Sequence, residues 1–352
     1  MTSNDMTRNS TDESIQHREL TVENFGGPER LCLISTATPP APAGHARVRV
    51  LAVGVGFTDC MARGGDYLLQ RKRPFVPGYE LVGEIVDYCA DPGQPEPAWL
   101  APGVRVAACL PKMGAYTEYR VLPIGMLVPV PDGLDTRTAA AIPLDYLTAL
   151  SLLERHGHVR PGDAVLIHGA TGGVGDALCQ LGTLARLQMY GTASERSIAR
   201  LDRYPITPIN YRTHDIEHVV REHKPGGVQA VFDHLGTGMR ANHRLLAVGG
   251  VLVSYAFVGR PGRIRTGTVL GAARNRLLGL WPGRRTAICS LPHEIRTDPA
   301  WYRDSLARLL DLAVRRAIEP TVGETYPLAD ASAAHAALES RTSKGKLLMV
   351  TD

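Results

Sequence analysis

Three groups of residues have types and spacing suited to chemistry. The first is His168-Gly-Ala-Thr-Gly-Gly-Val-Gly175, which follows the apolar run Val165-Leu-Ile167 and precedes Asp176-Ala-Leu-Cys-Gln-Leu-Gly182, a segment of helical spacing. Strand, glycine turn and helix together cradle a pyrophosphate. The glycines let the backbone approach the phosphate oxygens, and the helix start offers unpaired N–H groups and a partial positive charge. Thr171, Gly172, Gly173 and Val174 are the residues placed against such a group. Ala170 stands where the strict G-x-G-x-x-G pattern has its first glycine, so a ligand-free strand–helix connection remains the competing reading.

The second group lies at the next strand end, Tyr190-Gly-Thr-Ala-Ser-Glu-Arg196. A site for an unphosphorylated ribose puts Asp or Glu there. Here Ser194 takes that place, and Arg196 and Arg200 follow. A hydroxyl beside guanidinium groups suits a 2′-phosphate, hence NADPH. The competing reading is an ordinary solvated helix face, and Glu195 is assigned to solvent in its first turn.

The third is the stretch 258–285, in which seven arginines alternate with Leu270, Leu277, Leu278, Leu280 and Trp281. It could form a lid with an apolar face, a dimer element, a receiver for an anionic substrate or a membrane-surface segment. A solvated loop is the plainer expectation for 260–265.

The elements that must position these groups follow from periodicity. Residues 1–17 are polar and aperiodic, and are expected to form a disordered tail. Short strands broken by Gly and Pro come next, at 31–34, 46–55, 80–86, 104–109 and 116–121, the second alternating as a half-buried strand. Helices are expected at 136–142 and 146–156, with Pro143 breaking between them. Strands and helices then alternate: 164–168, 175–186, 188–192, 194–204, 207–210, 214–223, 229–234, 238–246 and 250–257. A last strand (285–291), two helices (300–316, 330–340) and a closing strand (346–350) complete the chain. The alternation implies a parallel sheet covered on both faces. An α/β protein of two domains follows: a β-rich domain of 18–143 and 293–352, with a nucleotide domain of 144–292 inserted. The formal charge of +4 is too small to make nucleic acid the main partner. No apolar run is long enough to span a bilayer, so no stable membrane insertion and a cytoplasmic location are expected. The six cysteines are scattered and read as reduced, mostly buried thiols.

The motifs in order resemble the medium-chain dehydrogenase/reductase superfamily, in its zinc-free quinone-oxidoreductase branch. They include Phe25-Gly-Gly-Pro-Glu29, Gly54-Val-Gly-Phe-Thr-Asp59, Met61-Ala-Arg-Gly-Gly-Asp-Tyr67, Pro77-Gly-Tyr-Glu80 and Gly114-Ala-Tyr-Thr-Glu-Tyr119. Asp145-Tyr-Leu-Thr-Ala149, the glycine turn, Ile209-Asn-Tyr-Arg212, Phe232-Asp-His-Leu-Gly236 and Lys344-Gly-Lys346 continue the match. The resemblance implies a GroES-like domain, a Rossmann domain, a nicotinamide cofactor in the cleft between them, and a homodimer. It implies that Tyr211 reaches the 2′-phosphate, that Thr148 lies near the nicotinamide, and that Leu235, Gly236, Phe257 and Lys346 are cofactor-binding positions. It offers Tyr67 as proton donor or gate, against a packed aromatic, and Asp59 as a holder of backbone near the cleft rather than an acid. Gly56 and Tyr79 occupy positions where zinc-binding members carry Cys and His, so no metal is expected.

Two departures favour a bulkier substrate. Gly56 and Asp145 stand where the family commonly has Asn. Gly56 makes room, and Asp145 adds a titratable group able to donate a proton, unless it caps the helix of Tyr146. Without a Lewis acid, hydride addition to a conjugated C=C is favoured over alcohol–ketone exchange. The expected function is therefore NADPH-dependent reduction, or reductive cyclisation, of an enone or polyene in a bulky, anionic small molecule. The chain also resembles, more loosely, the cyclising reductases of polyketide–peptide macrolactam pathways. The alternatives are a detoxifying quinone reductase and a crystallin- or vesicle-protein-like member that binds NADPH with little turnover.

Overall fold

The computed structural model describes residues 13–93, 95–258 and 264–351. They form two compact units, one running to Leu144 and resuming at Pro292, the other Asp145–Leu291. The first unit opens with β1 (Ile15–Val22) and β2 (Leu31–Thr38), an antiparallel pair. Then come β3 (His45–Val55), α1 (Phe57–Arg63), β4 (Glu80–Cys89), β5 (Arg105–Cys109), β6 (Tyr119–Pro123), β7 (Val128–Pro129) and α2 (Thr136–Ala140). β1 corrects the expected tail at 15–17: ladder bonds to β2 order residues whose polarity hides the strand. Of the rest of that expectation, 1–12 lie outside the described residues, and the Glu13 carbonyl accepts a hydrogen bond from Arg47 at 2.8 Å.

α3 (Pro143–Ser151) continues as a π-helical turn over Leu152–Gly157. Pro143 therefore opens the helix instead of breaking it, because an N-terminal proline needs no hydrogen-bond partner for its nitrogen. The second unit follows: β8 (Ala164–Ile167), α4 (Gly173–Leu184), β9 (Gln188–Ala193), β10 (Ile206–Asn210), α5 (Ile216–His223), β11 (Val228–Asp233), α6 (Met239–Leu245), β12 (Leu246–Ser254), α7 (Ile264–Leu278) and β13 (Arg285–Ile288). Its six strands are all parallel, in the order β10-β9-β8-β11-β12-β13. That is a doubly wound sheet whose order reverses beside β8, and ligands of such sheets bind at the carboxyl ends of the strands at the reversal. All four side chains of β8 are buried, as a sheet covered on both faces requires.

The stretch 194–204 holds only a single 3-10 turn at Ile198–Leu201, not the expected helix. Ser197 and Ile198 both donate N–H to the Ser194 carbonyl, and the two serine hydroxyls meet at 3.1 Å. Local serine bonding competes with helix propagation here. The expected strand at 285–291 stops at Ile288. α8 (Leu291–Thr297) follows, and the arginine-rich stretch contains the fifteen-residue α7, which takes in 264–265 of the expected loop; 260–263 lie outside the described residues.

The first unit is completed by α9 (Pro299–Val314), β14 (Val322–Pro327), α10 (Ala331–Glu339) and β15 (Lys346–Val350). Its main sheet runs β14-β15-β3-β4-β5-β7, with β6 also on β3. β3 thus has neighbours on both edges, and it is nearly all buried instead of half-buried. Arg47 in β3 is fully buried and forms an ion pair with Asp87 opposite on β4, its Nε donating to Oδ2 at 2.8 Å. No helix among the described residues is long and apolar enough to cross a membrane.

Candidate functional sites in each unit

In the second unit the glycine turn sits at the carboxyl end of β8. Ala170 N–H donates to the Thr192 carbonyl at 2.9 Å, tying the turn to β9, and Gly172 N–H donates back to Gly169 at 2.9 Å. One of the glycines is obligatory for packing: a Cβ on Gly175 would lie 2.2 Å from the Gly169 carbonyl oxygen. A Cβ on Gly173 would lie 2.2 Å from Oδ2 of Asp145, a side chain that can turn aside. Ala170, the departure from the strict pattern, is buried against Gly191. Gly172 and Gly173 remain exposed at the N-terminus of α4, with no side-chain cap. Asp145 is the third residue of α3, so it is not the cap of that helix. Its carboxylate lies over Gly173 instead.

Around this turn a line of hydroxyls leads outward. Thr171 Oγ1 donates to Ser197 Oγ at 3.1 Å, and Ser197 Oγ meets Ser194 Oγ at 3.1 Å. Arg196 is exposed beside it. Tyr211, just past β10, donates its N–H to Ala193 and is 48% exposed. Asp176 in the first turn of α4 anchors the following segment, accepting from Tyr204 Oη at 2.8 Å and pairing with Arg203 at 2.5 Å. Ser197 and Asp233 escaped the sequence reading. Asp233 Oδ1, fully buried at the end of β11, accepts from Leu235 N–H at 2.8 Å and Gly236 N–H at 3.4 Å. An Asp two residues before a tight turn was the available signal. Thr148 is buried on α3, and Phe257 packs in the core between Gly236 and Gly271.

In the first unit Asp59, third residue of α1, gathers three donors. Gly56 N–H reaches Oδ2 at 2.9 Å, Tyr116 Oη reaches Oδ2 at 3.0 Å, and Gly78 N–H reaches Oδ1 at 3.2 Å. Burial pushes its carboxyl up to about 6, although the Gly56 and Tyr116 hydrogen bonds and the Lys346 charge pull the other way. The chain of contacts continues from Tyr116 Oη to His335 Nε2 at 3.3 Å, and from His335 Nδ1 to Cys60 Sγ at 3.5 Å. Burial drives His335 down to about 3, leaving it neutral, and raises the Cys60 thiol, which is therefore inert. Tyr67 is half-buried on the loop after α1. Its Oη accepts from Tyr79 Oη at 3.2 Å, the rings meet edge to face, and burial raises its phenol to about 12. Glu80, wholly buried at the start of β4, pairs with Lys346 Nζ at 2.5 Å and accepts from Leu144 N–H at 2.7 Å.

The alcohol dehydrogenase GroES-like domain family matches residues 42–132, and the zinc-binding dehydrogenase family matches 207–349. The human synaptic vesicle membrane protein VAT-1 homolog is 30% identical over 349 residues, 95% of this chain and 86% of its own length. A 2-haloacrylate reductase from Burkholderia sp. is 28% identical over 341 residues, 94% of this chain and 97% of its own. A mycobacterial quinone oxidoreductase structure is 30% identical with a TM-score of 0.77, covering 95% of this chain and 99% of that one. A mycobacterial structure complexed with NADPH gives 30% and 0.78 over the same shares.

Proposed function

Because the chain belongs to the medium-chain dehydrogenase/reductase superfamily, in its quinone-oxidoreductase-like branch, we propose that it is an NADPH-dependent, zinc-independent reductase. Its substrate is a conjugated enone or polyene of a bulky, anionic small molecule. The observation that carries this is the exposed N-terminus of α4, where Gly175 admits no Cβ and a line of hydroxyls leads away from the turn. These residues fit a dinucleotide diphosphate. Thr171, Gly172, Gly173 and Val174 hold the pyrophosphate, while Ser194, Arg196 and Tyr211, joined by Ser197, receive the 2′-phosphate. Thr148, Leu235 and Gly236 are assigned to the nicotinamide side. Phe257 and Lys346 serve that side indirectly, the one as core packing and the other through Glu80.

Bound NADPH supplies a hydride, and the protein's residues supply position and the proton. The donor set does not fit a catalytic zinc: Gly56 has no side chain, the Tyr79 phenol is raised by burial and donates to Tyr67, and Glu80 already has the Lys346 ammonium. Carbonyl polarisation by a metal is thus not part of the reading. Addition to a C=C conjugated with a carbonyl spreads the developing charge over the substrate, and Tyr67 or Asp145 returns a proton to it. The product is the reduced double bond, or a new ring where the enolate meets a second acceptor. A relative named for reducing 2-haloacrylate, an α,β-unsaturated acid, supports this chemistry. A homodimer completes the reading. The test is NADPH and NADH titration, followed by turnover on cyclohexenone, a polyene enone and a benzoquinone. Enone turnover with NADPH preferred is expected. Turnover of quinone alone makes the protein a quinone reductase, as the mycobacterial relative is named. Tight NADPH binding without turnover makes it a binding protein, and absence of NADPH binding refutes both.

A further inference from the structure

One face of α7 is committed to the second unit: Ile264, Gly271 and Asn275 are buried, and Asn275 Nδ2 donates to Ser254 Oγ at 3.2 Å. The opposite face is apolar and uncovered within the unit. Val269, Leu270 and Leu277 share it at helical spacing, and Leu280 and Trp281 prolong it past the helix end, all between 58% and 79% exposed. Arg265 and Arg276 border the stripe on one side and Arg274 on the other, all exposed. None of the three makes an ion pair among the described residues. From 234 to 293 the sequence has nine arginines and no Asp or Glu, while the whole chain is only +4, so everything outside this run is net −5.

We propose that α7 seats the protein on an anionic lipid surface. The stripe enters the boundary between headgroups and acyl chains, and the flanking arginines extend to the lipid phosphates, the arrangement of an interfacial helix. α7 has fifteen residues, three of them bordering arginines, so it lies in the interface and does not span it. A second copy docked on the same stripe about a two-fold axis would set arginine against arginine with no acid between them. A nucleic acid would cover the apolar stripe with phosphates that give it nothing in return.

The test uses the full chain and extruded vesicles, one set of phosphatidylcholine and one of an equal mixture with phosphatidylserine. Co-sedimentation with the mixed vesicles alone is expected, and it should weaken as added salt screens the arginines. Arg274→Gln with Arg276→Gln should lower partitioning roughly thirtyfold, from the attraction of two arginines to an anionic leaflet. Leu277→Ser with Trp281→Ser should abolish it. These exposed positions should leave the melting temperature unchanged. If the serine pair perturbs it, the glutamine pair decides. The proposal is overturned if wild type ignores the mixed vesicles or binds neutral vesicles equally well. It is also overturned if the serine pair converts a dimer to monomers in light scattering, because the stripe is then a subunit contact.

Discussion

Replacing Asp59 with Asn isolates the cost of one buried charge. The carboxyl titrates near 6 in the folded chain because burial disfavours its charged form, against 3.8 for the ordinary group. The folded state therefore holds the proton more tightly than the unfolded state. Stability from this group is fully present below pH 3.8 and is lost as pH rises through 6. The gap of 2.2 between the two values is worth about 3 kcal/mol. Asn does not titrate, but it offers one acceptor where three donors converge. Its amide must face either Gly78 N–H or the pair from Gly56 and Tyr116, which costs about 1–3 kcal/mol at any pH. At pH 4 the variant should thus be clearly less stable than wild type. By pH 7 the difference should shrink by about 2.4 kcal/mol, so that the variant matches or exceeds wild type. Urea midpoints for both proteins at intervals between pH 4 and 7.5 measure this. A difference that stays constant across that range would show that no buried charge is being relieved, and the assignment of Asp59 as a strained anchor would fall.

Other perturbations probe the remaining assignments. Ser194→Ala with Arg196→Ala should weaken NADPH roughly tenfold to a hundredfold more than NADH, from the loss of charge-assisted hydrogen bonds. Equal losses in a fluorescence titration would remove the 2′-phosphate assignment. Lys346→Met leaves Glu80 buried without its ammonium and should cost about 3–5 kcal/mol of stability. Adding Glu80→Gln should recover a substantial part in the same melting assay, and no recovery would mean that packing, not charge, sets the loss. Tyr67→Phe should cut enone turnover about a hundredfold if its phenol donates the proton, and Asp145→Asn should do so if the carboxyl does. Full turnover in both assigns the proton to solvent or substrate.

The strand–glycine–helix unit was legible because its signals are short-range: a buried apolar run, glycines at close approaches and a helix start lie within eighteen residues. The alternation that gave the parallel sheet is equally local. What escaped the sequence depends on competition or distance. At 194–204 the residue types permit a helix, and only the hydroxyl geometry of Ser194 and Ser197 diverts it. In β1 polar residues are ordered by a partner strand, not by burial periodicity. The Asp59 cluster draws Tyr116 from 57 positions away, and Tyr116 meets His335 across another 219. No spacing rule joins such residues, so the role of Asp59 as a backbone anchor could be guessed from resemblance while its partners could not. The arginine-rich stretch was visible as composition, but its division into a packed face and an outward stripe needed the helix.

The discontinuity of the first unit bears on how the protein is made. The second unit is one uninterrupted run, whereas one edge of β3 along Ala52–Val55 stays open until β15 reaches it. Glu80 and Lys346 lie 266 positions apart in the chain. At about 5–20 residues per second on the ribosome, the carboxylate waits roughly 15–50 s for its ammonium. The inserted Rossmann unit can be finished during that interval while its host still shows an open sheet edge and an unneutralised interior charge. Nascent-chain quality control thus has most to guard in the half of the protein that begins synthesis first and closes last.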